Sequence, residues 1–283
     1  MRSMKIFKNL KRKITYALSY LILLIFSLIA LVPVLWIWLG SFKSGLEFST
    51  NPMGIPREWH FSQLVEVWNR ANFSTYTRNS IIVVIPSVLL ILLLASLAAY
   101  AFAMFKFKGK GAIYFIFIAG LTIPVEVVVV PLFYELFKLN LLDTYWAMIL
   151  PQVALILPFG IFLLRGFMEE ISRSIIDAAK IDGCSELKIF FYIMLPISKP
   201  SLSTLGAFSF LWTWNIFILP FIVIRNDDLR TAQAGLAAFQ GRYVPNPGLI
   251  AAAATIVSVP IVIVYILFQK QFIKGVTAGA LKE

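Results

Sequence analysis

The chain is 283 residues long, 60% hydrophobic and only 14% charged, with a mean hydropathy of +0.85. A soluble domain has about 45–50% apolar residues, so a polytopic membrane protein is the expected class. The net charge of +11 comes from basic residues beside apolar runs rather than from a nucleic-acid surface. One cysteine and one histidine exclude an intrachain disulfide, a multi-cysteine metal cluster and a zinc site of paired histidines.

Residues 1–15 carry Arg2, Lys5, Lys8, Lys11, Arg12 and Lys13 ahead of an apolar run over 16–39. That run is too long for the apolar part of a signal peptide, and no small-x-small cleavage site follows it. It predicts a first spanning helix with a cytoplasmic N-terminus, kinked at Pro33. Residues 41–79 are polar and aromatic, with Pro52 and Pro56, and read as a folded outer loop. Trp59 and Trp68 suit either the membrane interface or packing within that loop. A second span is expected over 81–104, followed by a cytoplasmic turn with Lys106, Lys108 and Lys110.

The third span is expected over 111–136 and contains Pro124, Glu126 and Pro131. An acid within a span is a functional candidate. Glu126 either faces a central cavity and binds a solute hydroxyl there, or makes an inter-helix hydrogen bond. The fourth span, over 144–164, holds Pro151, Gln152 and Pro158. Prolines are tolerated in spans where neighbours re-satisfy the backbone, often beside a cavity, which makes Gln152 a second candidate for a path.

Residues 165–200, RGFMEEISRSIIDAAKIDGCSELKIFFYIMLPISKP, break the apolar pattern with ten charges of both signs. Each costs roughly 2.5–3.5 kcal/mol at a bilayer centre, so the segment belongs in water or against a protein. Ile175, Ile176, Ala179 and Ala178 recur at helical spacing and predict a short amphipathic helix. Gly183 can turn the chain at positive φ. A second helical run over 187–195 is expected to end at Pro196.

A fifth span is expected over 201–224, with Trp212, Trp214, Asn215 and Pro220. An aromatic ring such as Trp212 stacks on the apolar face of a sugar while an amide such as Asn215 binds its hydroxyls, the chemistry of a wet cavity for a neutral polar ligand. Helix packing or gating is the competing role, and the weightier one for Trp214-Asn215. An outer loop over 225–246 and a sixth span over 248–268 follow, and Lys270, Lys274 and Lys282 hold the tail inside. With six spans and both termini cytoplasmic, the inside segments carry 17 Lys and Arg and the outside segments 8, the bias that positive-inside orientation requires.

Asp177-Ala178-Ala179, Gly183 and Ile193-Met194-Leu195-Pro196 resemble the EAA signature of ABC-importer permeases, specifically the MalG-like subunit of the maltose-type carbohydrate branch. The likeness extends through FGIFLLRGF (159–167), WNIFILPFIV (214–223) and FIKGVTAGALKE (272–283). Two departures stand in the motif: Asp177 replaces the usual Glu, and Ser172 the usual upstream proline. The resemblance implies an all-α membrane protein of the type I importer fold, in a bacterial or archaeal cytoplasmic membrane. It implies a cytoplasmic coupling helix seated on an ABC ATPase dimer, with Asp177, Ala178, Ala179, Asp182, Gly183, Leu195 and Pro196 in that docking segment. The other implied partners are a homologous second permease subunit and an extracytoplasmic solute-binding protein. Gln233, Gly235 and Gln240, in QAGLAAFQ, match the loop that meets the binding protein, and residues 277–283 match a tail that touches the ATPase.

No G-x-x-x-x-G-K-[ST] phosphate loop occurs, so ATP hydrolysis is expected in a partner subunit. Neither a nucleophile with its base nor a metal-ligand constellation is present, and no cofactor is expected. The rivals are a secondary transporter working without ATP, a membrane enzyme, and a scaffold. No inverted repeat supports the first, no catalytic cluster the second, and the family likeness opposes the third. A sugar or oligosaccharide is the expected solute, with a related solute such as glycerol phosphate as the alternative.

Overall fold

The computed structural model describes residues 2–243 and 246–280, and every regular element among them is helical. The chain divides into two compact units, Met1–Arg70 with Gln240–Ile256, and Ala71–Phe239 with Val257–Glu283.

The first unit opens with α1 (Arg2–Gly40), whose leucines, isoleucines and phenylalanines from Leu18 to Leu35 are exposed. An apolar surface of that length is stable only in lipid or against another apolar helix. The segment after α1 is built around Lys43, a fully buried lysine. Its Nζ donates to the carbonyls of Asn51 (2.7 Å) and Pro52 (3.2 Å), and the Trp36 indole N–H also donates to Pro52. Two short helices, α2 (Gly45–Thr50) and α3 (Ser62–Arg70), flank an aromatic cluster of Phe42, Trp59 and Phe61. Trp59 packs against Phe42 and Phe61 on one side and is half-exposed.

In the second unit, α4 (Phe73–Met104), α5 (Lys110–Gly120), α6 (Val125–Lys138) and α7 (Trp146–Glu169) follow in order. α4 starts at residue 73 rather than 81. α4 and α7 run parallel: Asn79 pairs with Tyr145 at one level, and Ala95 lies against Gly160 further along. Ile91, Ala95 and Ala99, four apart on one face, are fully buried, as are Met148, Ile161, Leu164 and Leu205.

The expected third span is not one straight helix. α5 and α6 meet at 101° across residues 121–124. Pro124 has no N–H for the carbonyl of Gly120 and biases Ile123 away from helical backbone.

The polar segment folds as α8 (Arg173–Ile181), α9 (Glu186–Ile189), a π-helical turn (Phe190–Met194) and α10 (Leu195–Ile197), leading into α11 (Lys199–Asn215). Helical backbone therefore passes through Pro196 instead of stopping there. The π turn, closed by the Leu195 N–H on the Phe190 carbonyl, widens the helix just before the ring that an α-helix would exclude.

The expected fifth span is also divided. α11 ends at Asn215, Ile216 is extended (ψ 125°), and α12 (Ile218–Val223) follows. Pro220 accounts for the break: in a continuous helix its ring would meet the carbonyl of Ile216, four residues back. The expected last loop is largely helical, as α13 (Ala232–Tyr243), and α14 (Pro247–Ala280) follows with a kink at Phe268. Among the described residues four helices are long and apolar enough to cross a bilayer, Thr15–Gly40, Phe73–Met104, Trp146–Glu169 and Pro247–Phe272, and the α5–α6 pair makes a fifth if it counts as one.

Candidate functional site

The polar segment is a helix, a glycine-closed turn and a second helix. Ile176 and Ala179 of α8 are buried, whereas Asp177, Ala178 and Ile175 face outward. Ile175 and Ile176 flank Ala179 at the i−4 and i−3 positions of one face, but only Ile176 is covered, so the expected apolar face is narrower by Ile175 and Ala178. At the end of α8 the Cys184 N–H donates to the Ala179 carbonyl at 2.9 Å and the Gly183 N–H to the Lys180 carbonyl at 3.0 Å. With Gly183 at φ +75°, this is a Schellman cap. Ser185 restarts the chain as an N-cap, its Oγ accepting from the Lys188 N–H. Asp182, Gly183 and Pro196 are exposed and Leu195 is half-buried. Large apolar side chains stand out beside the acids, including Ile181 at 86% exposure and Leu187 at 67%.

The other sequence candidates fall in separate places. Glu126 is exposed in the first turn of α6, just past the 101° bend. Gln152 is enclosed at 1% exposure, and neither of its amide atoms has a hydrogen-bond partner. Trp212 is half-exposed and packs edge-on to Phe159 at 4.7 Å. Asn215 ends α11, donates from Nδ2 to the Leu211 carbonyl at 2.8 Å, and accepts from the Gln233 amide at 3.2 Å. The fold thus joins a path candidate to a candidate for binding-protein contact. Gly235 is turned inward: it is buried, and a side chain there would collide with the Tyr76 ring. Gln240 lies on α13, with its side chain outside the described residues. Trp214 is buried and donates to the Val257 carbonyl at 3.1 Å, a packing role.

Residues 91–278 match the family described as the binding-protein-dependent transport system inner membrane component. The chain belongs to that family. Among its relatives is the diacetylchitobiose uptake system permease protein NgcG of Streptomyces coelicolor, 36% identical over 268 residues, covering 94% of this chain and 89% of the relative. The arabinooligosaccharides transport system permease protein AraQ of Halalkalibacterium halodurans is 36% identical over 280 residues, 96% of this chain and all of the relative. A solved bacterial ABC transporter involved in the import of the acidic polysaccharide alginate contains a chain that superposes with a TM-score of 0.78 at 25% identity, covering 92% of this chain and 97% of that one.

Two polar centres of this permease escaped sequence reasoning. One is Glu186. Its Oε1 lies 2.7 Å from the Lys180 ammonium, and its Oε2 accepts from the Tyr100 hydroxyl at 2.8 Å. Lys180 and then Tyr100 hold the carboxyl below its usual range, against a smaller opposing effect of burial. The other is Asn79, fully buried near the start of α4. Its Nδ2 donates to the carbonyls of Asp228 (2.7 Å) and Arg230 (3.0 Å), and its Oδ1 accepts from Tyr145. Neighbouring Ser80 accepts the Ala232 N–H, and Tyr76 donates to Asp227. These bonds fasten residues 227–232 to the ends of α4 and α7. Only the polar residues Asn79-Ser80 at the head of an apolar run signalled this. Replacing Asn79 with leucine leaves two carbonyls and a phenol unpaired, each at a cost of about 1–3 kcal/mol. The expected outcome is faster proteolysis within residues 225–232 in detergent, measured by limited digestion and mass spectrometry.

Proposed function

We propose that this chain is the MalG-like permease subunit of an ATP-driven importer for a sugar or oligosaccharide. It forms half of the translocation path beside a homologous permease, with six membrane crossings and both termini in the cytoplasm. In this reading the bent α5–α6 pair and the divided α11–α12 run are the third and fifth crossings. An ABC ATPase dimer supplies the energy, and an extracytoplasmic binding protein delivers the solute.

The observation that carries the reading is the exposed turn between α8 and α9. Asp177, Ala178, Asp182 and Gly183 are open to contact, and exposed Ile181 and Leu187 beside them are the mixed apolar and charged surface that a protein partner covers. The sugar assignment is supported by what the relatives are named for. Glu126, Trp212 and Asn215 are the accessible path candidates; Gln152 joins them only where α7 parts from its neighbours. Gln233 and Gln240 remain the binding-protein candidates, on α13.

The test is to tag the chain in its native host, purify it in mild detergent and reconstitute what co-purifies. The expected result is a second permease and an ATPase, and ATP-dependent uptake of an oligosaccharide from a panel of chito-, arabino- and malto-oligosaccharides once the binding protein is added. Transport by this chain alone without ATP would overturn the proposal in favour of a secondary carrier.

A further inference from the structure

We infer that Glu186 is a positioning residue for energy coupling: its carboxylate ties the docking turn to the end of α4, so that motion of the turn is delivered to that span. The inference rests on the proposed docking of this turn to an ATPase.

One carboxylate joins three elements. Glu186 opens α9, Lys180 stands in the last turn of α8, and Tyr100 lies one turn before the end of α4. The two bonds use different oxygens of Glu186, Oε1 for Lys180 at 2.7 Å and Oε2 for Tyr100 at 2.8 Å, so neither competes with the other. The Tyr100 ring is itself held, packed against Phe190 at 5.3 Å and Phe105 at 5.5 Å, and is almost fully buried.

Direction is what this tie adds. The buried side chains of α8 are Ile176 and Ala179, and apolar packing is non-directional, so such a face can slide. A charge-assisted hydrogen bond fixes distance and angle. Without it, the turn remains connected to the spans through residues 170–172 to α7 on one side and through the covalent route of α9, the π turn and α11 on the other. With it, a displacement of α8 reaches α4 directly. Ala95 of α4 lies against Gly160 of α7, so the two helices follow as a pair. The π turn, the least regular part of the covalent route, is the part that the tie bypasses.

The experiment measures solute transported per ATP hydrolysed by the purified complete transporter in proteoliposomes, for Tyr100→Phe and Glu186→Gln. Tyr100→Phe deletes one oxygen and keeps the ring packing; Glu186→Gln keeps the shape and removes the charge. Both are expected to co-purify with the ATPase at wild-type yield and melting temperature while the transport-to-hydrolysis ratio falls about fivefold or more. The double variant is expected to lose less than the two single losses combined, because both changes act on one shared link. A wild-type ratio in assembled variants overturns the inference, as does loss of assembly in both, which would make the tie merely structural. Where one variant fails to assemble, the other decides. A wild-type chain that recovers no ATPase refutes the docking reading instead, and is read before any variant.

Discussion

Replacing Gly183 with valine is expected to leave the transporter assembled and its ATPase active while solute uptake falls roughly five- to thirtyfold. The structure isolates the cause. Nothing lies within 4 Å of where a side chain at Gly183 would begin, so no clash is involved. What the substitution meets is the backbone, held at φ +75°. Left-handed backbone costs an L-residue about 1–2 kcal/mol, and a β-branched residue stands at the unfavourable end. That strain corresponds to a factor of about 5–30 in an equilibrium. It is relieved by re-forming the Schellman cap, which moves Cys184 and Ser185 and so re-aims α9 relative to α8. Asparagine, which tolerates left-handed backbone through its short polar side chain, is expected to restore most transport, and alanine to fall between. Uptake in proteoliposomes and co-purification of the ATPase, measured on the same preparations, check this. Wild-type uptake by the valine variant would show that the turn geometry does not matter to coupling.

The amphipathic α8 and its glycine turn were legible because their determinants are local: spacing, a charge pattern and one glycine. Proline positions were legible as well, but not their consequences. Pro151 and Pro158 sit buried within an unbroken α7, whereas Pro124 and Pro220 stand at breaks. The residue is the same in each case; the outcome depends on whether neighbouring helices hold the freed backbone in line, which no local pattern records. The same limit hid the polar ties. Tyr100 and Glu186 are 86 residues apart, and Asn79 meets partners about 150 residues further on. Asn79 and Tyr100 looked like ordinary polar residues near the ends of an apolar run, and Glu186 like one of ten charges in the polar segment. Gly235 shows a second, packing role that no motif signals. Its place in a motif suggested contact with a binding protein, and the missing side chain serves the close approach of Tyr76.

Gly160→Val is expected to abolish recovery of folded permease. The α4–α7 pair is the centre of the second unit, and Gly160 is a point of close approach in it. A Cβ at that position would lie 2.7 Å from the Ala95 Cβ and 3.2 Å from Leu205. Leu205 carries a flexible side chain that can turn away, but Ala95 cannot: its Cβ moves only with the α4 backbone. Valine therefore forces the helices apart along a face where Ile91, Ala95 and Ala99 are fully buried. Overpacking of a rigid core costs about 1–3 kcal/mol and occasionally more. In lipid the loss weighs more heavily, because close packing at small residues is a main source of helix association there. The measurement is the monodisperse fraction after detergent extraction, with the melting temperature of what remains. A paired change separates packing from any role of Gly160 in the path: Gly160→Ala should lower the yield, and adding Ala95→Gly should restore it, since the contact is remade with its one small group on the opposite helix. Normal yield and melting temperature for Gly160→Val would mean that α4 and α7 do not meet as closely as this arrangement requires. The register that brings Tyr100 to the end of α4 above Glu186 would then lose its support as well.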